Sequence, residues 1–143
     1  MDADRARRLF GGQRVARLAT VDADGAPHLV PVTFALDGDR IVFAVDHKPK
    51  TTTDLKRLRN IRGNPRVALL ADHYDDDWTR LWWVRADGTA RVLDPAAATS
   101  GAAVDALVEK YEQYRSARPA GSVVLVDVTR WSGWVSSRIA CER

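Results

Sequence analysis

Val15–Leu36, VARLATVDADGAPHLVPVTFAL, decides the fold. In VARLATV, Val15, Arg17, Ala19 and Val21 alternate with Ala16, Leu18 and Thr20, which is the period of a strand. Asp22-Ala23-Asp24-Gly25 is a turn signal, and Pro27 to Leu36 reads as the returning strand, so the stretch predicts an antiparallel hairpin. Pro31 lies inside that second strand. It has no N–H to donate, which implies an edge, a bulge or a gap facing a ligand.

Outward from the hairpin, residues 3–11 read as a short helix that Leu9 and Phe10 can dock, with Gly11-Gly12 ending it. Asp37-Gly38-Asp39 is a second turn, and Ile41 to Val45 a third, largely buried strand. Three strands are therefore expected before the first substantial helix. That helix, capped by Thr51–Thr53 or Asp54, carries a narrow stripe of Leu55, Leu58 and Ile61 and stops at Gly63-Asn64-Pro65. Arg66 to His73 is a fourth strand, followed by the acidic loop Tyr74–Trp78. Leu81 to Leu93 is a long bent strand or a tight hairpin around Asp87-Gly88. Asp94-Pro95 supplies an N-cap and a first-turn proline for a helix over Ala96–Tyr114, with Val104, Leu107, Val108 and Tyr111 on one face. Ser122 to Thr129 is a further strand, which Trp131–Val135 extends or follows. The expectation is a mainly β chain with a few flanking helices. Its six or so antiparallel strands close into a small barrel, since closure removes exposed edges.

The 143 residues fit one domain, 1–143. Net charge is only +3, but residues 1–70 carry 13 Lys and Arg against 8 Asp and Glu, whereas residues 71–143 carry 9 against 11. Positive potential is thus concentrated in the first half. Cys141 is the single cysteine, so no internal disulfide and no zinc cluster forms, and a reducing, cytoplasmic setting fits. The opening MDADRARRLF has no apolar signal-peptide core, and no run is long enough to span a bilayer.

The basic segment is Ala44–Pro65, AVDHKPKTTTDLKRLRNIRGNP. From Lys48 to Arg66 it holds seven cations against one anion, Asp54. A helix N-terminus flanked by cations suits a phosphate, which makes this stretch a candidate cofactor cradle. A solvated basic surface helix is the competing reading. Five tryptophans are present, and the adjacent Trp82 and Trp83 must point to opposite faces of a strand. An outward tryptophan near Trp78 suggests a dimer interface or a wall for a stacked ring. His28, His47 and His73 sit in different segments with no nucleophile context, and Asp72, Asp75, Asp76 and Asp77 lack the spacing of a calcium loop. No G-x-G-x-x-G or P-loop occurs. No metal site and no catalytic acid or base is assigned. Such a chain suits a protein whose cofactor carries the chemistry.

RLATVDADGAPHLVPVTFALDGDRIVFAVD, KPK…LKRLRNIRGNPRVALLADHY and DDDWTRLWWVRADGTARV resemble the pyridoxamine-phosphate-oxidase-like split β-barrel superfamily, above all its F420-dependent actinobacterial flavin/deazaflavin oxidoreductases. The resemblance spans about Val15 to Leu93. It implies a homodimer of six-stranded split barrels with two cofactor sites at the interface. Pro31, Val32 and Thr33 would line the deazaflavin ring. Asp46, Lys48, Pro49, Lys50 and Thr51 would wrap the ribityl chain and phosphate, Lys50 and Lys56 would neutralise that phosphate, and Asn60 could hydrogen-bond nearby. Trp78 of the other subunit could close the site. The implied activity is hydride transfer between coenzyme F420 and an unsaturated small organic substrate. The alternatives are an FMN-binding relative and a non-catalytic deazaflavin carrier. Neither nucleic acid nor a membrane is expected as a partner.

Overall fold

The computed structural model describes residues 1–45 and 54–136. Asp46, Lys48, Pro49, Lys50 and Thr51, the capping threonines Thr51–Thr53, His47 and Cys141 lie outside the described residues. Helix α1, Ala3–Gly11, starts at Asp2, whose carboxylate accepts from the Arg5 amide at 2.8 Å. This is the N-cap geometry that satisfies an orphan donor. Ala6 and Phe10 are fully buried, and the Phe10 ring meets Phe34 and Trp131 at centroid distances of 4.7 and 5.3 Å.

The expected hairpin is present. Strand β1, Ala16–Val21, pairs antiparallel with β2, Pro27–Val32, from Ala16 opposite Val32 to Val21 opposite Pro27. Its turn is built on Asp22, whose Oδ1 accepts from the amides of Asp24 and Ala26 at 2.9 Å each. The bond from Ala26 is the main reason the Asp22 carboxyl sits below its ordinary pKa. Gly25 adopts φ +81°, a conformation that favours glycine.

Strand β3 is Ala35–Asp37 and β4 is Arg40–Ala44. Helix α2, Asp54–Gly63, buries Leu58 and Ile61 as its stripe requires. Strand β5, Arg66–His73, leads through a 3-10 turn at Trp78–Arg80 to β6, Trp82–Leu93. Asp87-Gly88 is neither turn nor strand end but a β-bulge inside one 12-residue strand. There the β6 backbone passes so close to the Asp127 carbonyl that a Cβ at Gly88 would collide with it. Strand β7, Val123–Val135, completes the sheet.

Two expectations are corrected. Among the described residues the strands number seven, in the order β2-β1-β5-β6-β7-β4-β3, and their hydrogen-bonded ladder does not close into a barrel. Four strands, not three, precede α2, because Pro27–Leu36 is divided at Thr33-Phe34 into β2 and β3, the two edges of the sheet. Only three Cα steps separate Val32 from Ala35, about 11 Å at full extension, so the sheet must curl to bring its edges near one another. The second correction concerns Asp94-Pro95. Asp94 Oδ1 accepts from the Ala96 amide at 2.8 Å and its carbonyl from the Ala97 amide at 2.9 Å. The pair therefore makes a turn, and α3, Ala98–Lys110, starts after it with Ala97 as its N-cap. The helix does not run to Tyr114. Tyr111 is extended (φ −116°, ψ 120°), and α4, Glu112–Ser116, follows it.

The core has two parts. Leu18, Phe34, Phe43, Leu69, Val84, Val124 and Val126 fill the concave side of the sheet beneath α1 and α2. Val42, Val104, Leu107, Val123 and Leu125 form a second cluster beneath α3. Each such side chain contributes about 1.5–3 kcal/mol on burial. Among the described residues no helix is long and apolar enough to cross a membrane.

Candidate functional site

The division between β2 and β3 supplies the first part of the site. Pro31 lies exposed on the edge strand, opposite Arg17, where a residue lacking an N–H can sit. Val32 turns its side chain into the core, so only its main chain is offered to a ligand. Thr33 is half-buried, and its Oγ1 lies 2.7 Å from the Tyr114 hydroxyl. At the next residue the Phe34 amide donates to the Tyr111 hydroxyl at 3.1 Å. That hydroxyl lies 2.7 Å from the Arg14 carbonyl and 3.0 Å from the Phe34 carbonyl, either of which can accept its proton. Burial pushes the Tyr111 phenol above its ordinary pKa, opposed by its bond to the Phe34 backbone. Two tyrosines from the α3–α4 corner thus clasp the crossing between the sheet edges. Sequence reasoning put Tyr111 on a core face and passed over Tyr114; their spacing of three residues was the available signal.

The second part is a groove of about 680 Å³ between α2 and the β1–β2 turn, lined by Val21, Asp22, Ala23, Asp24, Lys56, Arg59, Asn60, Gly63 and Asn64. Lys56 stands on the first turn of α2 and is exposed. Asn60, one turn further on, is buried at 6% exposure and donates from Nδ2 to Thr20 Oγ1 at 3.0 Å. It pins α2 to β1, and its amide nitrogen is committed there. The carboxylates of Asp22 and Asp24 face the same groove as the two cations, which the basic pattern alone did not disclose. Pro31 lies four residues along β2 from the Pro27 end where the groove opens, about 13 Å.

Trp78 lies at the other end of the sheet, in the 3-10 turn between β5 and β6. It is 66% exposed, with Nε1 3.5 Å from the Tyr74 hydroxyl. Strand β5 runs eight residues, roughly 23 Å, between α2 and this turn. Trp82 and Trp83 do point to opposite faces: Trp82 packs against the core, and Trp83 lies across from Trp134 on the outer face, with the Arg85 guanidinium 5.9 Å from its ring centre. That outer face also carries Leu29, Leu70 and Trp134, exposed at 67, 38 and 45%. Asp72, on β5, pairs with Arg17 of β1 at 3.3 Å, and in the loop Asp75 lies 3.8 Å from His73. Among the described residues no cluster of His, Cys, Asp and Glu could hold a metal ion.

These features fit a bound nucleotide-like cofactor in part. Lys56 and Arg59 provide charge for a phosphate, and the Pro31–Thr33 edge offers main-chain and hydroxyl groups to a ring. The chain is similar to several known proteins. A dehydrotetracycline/dehydrooxytetracycline reductase of Streptomyces rimosus is 38% identical over 60 residues, a match covering 42% of this chain and 41% of that relative's length. A FAD-binding protein of Mesorhizobium loti superimposes with a TM-score of 0.71 at 21% identity, over 93% of this chain and 94% of the other. A conserved hypothetical protein of Mycobacterium tuberculosis does so with a TM-score of 0.77 at 19% identity, over 98 and 88%. At these identities the two structures speak for the fold. Residues 3–135, nearly the whole chain, match the family described as pyridoxamine 5'-phosphate oxidase, and the chain belongs to that family.

Proposed function

We propose that the protein is an F420-dependent oxidoreductase acting on an unsaturated small organic substrate. The family and the reductase relative support oxidoreductase or flavin-binding chemistry at the coarser level. The observation that carries the finer reading is an open sheet edge at Pro31–Thr33 on the same hairpin whose Pro27 end, about 13 Å along β2 from Pro31, opens onto the groove lined by Lys56 and Arg59. That arrangement suits a ring joined through a linker to its phosphate.

In this reading Lys50, Lys56 and Arg59 neutralise the phosphate, while Asp46, Lys48, Pro49 and Thr51 wrap the ribityl chain and its phosphate. Pro31 and the main chain of Val32 and Thr33 orient the ring. When bound and reduced, the deazaflavin would supply a hydride to an electron-poor C=C or C=N bond, and solvent or a bound acid would supply the proton that completes the reduction. Backbone N–H groups at the strand edge steady the charge that develops on the acceptor, as an oxyanion hole does.

The protein acts as a homodimer in this reading. The apolar outer face of Leu29, Leu70, Trp83 and Trp134 supports a second copy there, since apolar patches of this kind mark interaction surfaces. In this reading Trp78, exposed in the 3-10 turn beyond the far end of β5, completes the partner's site.

Titration of the purified protein with F420, FMN and FAD, followed by fluorescence, tests the assignment. F420 binding is expected, weakened more by Lys50→Ala than by Arg62→Ala. Tight flavin binding without F420 binding would sink the deazaflavin reading. A flavin-binding role is the second reading, favoured by the FAD-binding protein of the same fold. F420 binding with no turnover of any enone or quinone would make the protein a carrier.

A further inference from the structure

A separate cavity of about 390 Å³ lies beside Thr33, walled by Arg14, Val15, Tyr111, Gln113 and Tyr114. We propose that it is the pocket for the acceptor substrate, and that this substrate is a planar aromatic molecule bearing a carboxylate or enolate. Its role as acceptor pocket rests on the ring site proposed at Pro31–Thr33; its ligand chemistry rests on the cavity itself.

The size falls within the range of small-molecule sites, about 300–1,000 Å³. Tyr111 and Tyr114 meet edge to face at 5.6 Å and 75°, and with Val15, 39% exposed, they give the cavity an aromatic and apolar lining against which a ring can pack. No carboxylate lines the cavity. The Arg14 guanidinium lies 5.4 Å from the Tyr111 ring centre and gives one N–H, from Nη1, to the Lys110 carbonyl at 2.9 Å. A guanidinium has five donors in a planar fork that matches a carboxylate or enolate edge. The Lys110 ammonium stands beside it, 3.7 Å from the Phe34 ring centre, and Arg14's charge helps to hold its pKa down. Arg14 is thus the cation that lines the cavity, and it favours an anion there.

The hydroxyl pair adds direction. Tyr111 OH is saturated, because it accepts from the Phe34 amide and donates to a carbonyl. Tyr114 OH and Thr33 Oγ1 share a single hydrogen bond at 2.7 Å. Each hydroxyl owns one proton, so one proton of the pair is left over for a ligand oxygen. The pocket therefore offers a cation, a hydroxyl donor and an aromatic, apolar lining.

The test measures binding of fluorescent 3-hydroxy-2-naphthoate and of its neutral amide isostere to the cofactor-free protein. The acid is expected to bind at least about tenfold more tightly than the amide, as a charge-assisted hydrogen bond supplies. Arg14→Gln should erase that preference, and Gln113→Trp, a change at an exposed helix position, should fill the cavity and block both probes. Equal binding of acid and amide to the wild type, or acid binding that survives Gln113→Trp, would overturn the proposal. Should Arg14→Gln fail to fold, the wild-type preference and the Gln113→Trp arm decide it. F420 and flavin titrations of the same samples separate the two readings. Probe binding as expected with no cofactor bound would remove the ring site and leave the pocket, while cofactor binding with no acid preference would do the reverse.

Discussion

Asn60 Nδ2 lies 3.0 Å from Thr20 Oγ1, and both side chains are buried, so a polar contact between α2 and β1 is made inside the core. Asn60→Ala should cost about 1–3 kcal/mol in urea unfolding, because it leaves the Thr20 hydroxyl without its donor. The double variant Asn60→Ala/Thr20→Val should recover part of that loss. If Asn60→Ala instead leaves stability unchanged and weakens only cofactor binding, the residue is a ligand contact and not a pin.

The contrast between Asn60 and Pro31 shows which parts of the site can be read from sequence. Pro31's edge position follows from a missing N–H, a local property, and β2 is an edge strand. The opposed faces of Trp82 and Trp83 follow from the two-residue period in the same way. Asn60's direction depends on which strand α2 covers, and the basic pattern around it gave no hint of Thr20. The division of Pro27–Leu36 was equally hidden. It is held by Tyr111 and Tyr114, 77 and 81 residues further along the chain, and no local signal in VPVTFAL marks it. The strand count was therefore one short. The carboxylates of Asp22 and Asp24 reach the α2 groove through the hairpin turn, so the charge balance there also depends on tertiary structure.

Gly88→Ala should destabilise the protein although alanine is small. A Cβ at Gly88 would meet the Asp127 carbonyl oxygen and, at 3.0 Å, Val126 Cγ1. The obstruction is backbone in the neighbouring strand, so relief requires moving β7. The expected loss is about 1–3 kcal/mol, the usual cost of overpacking. Gly63→Ala, where a Cβ meets nothing within 4 Å, is the control and should be near neutral. Equal melting temperatures for the two variants would show that the bulge yields.

The outer sheet face predicts an association that a single charge disrupts. Leu29 is 67% exposed and neighbours Ala19 across the strands, on the face that also carries Leu70 and Trp134. Leu29→Asp should change the unfolding free energy of an isolated chain by no more than about 0.5 kcal/mol, as surface changes do. In sedimentation equilibrium the wild type should behave as a dimer and Leu29→Asp should dissociate at least about tenfold more readily. A wild type that stays monomeric would remove this face from the proposed interface.

Lys110 gives the pH prediction. Burial, with Arg14's charge adding to it, lowers its pKa from 10.5 to about 8, while Nζ still donates to the Gln13 carbonyl at 2.7 Å. Between pH 8 and 10.5 the unfolded chain therefore holds a proton on Lys110 that the folded chain has lost. Folding stability from this group must rise with pH across that window. The side chain is only half-buried, so solvent screening reduces the effect to about 1 kcal/mol. Tyr111 opposes it near the top of the range, because its raised pKa makes the unfolded chain lose its proton first. Subtracting the profile of Lys110→Met isolates the lysine. The difference in unfolding free energy, wild type minus variant, should shift by about 1 kcal/mol in favour of the wild type between pH 7 and 10. A flat difference would mean that Lys110 keeps its ordinary affinity for a proton.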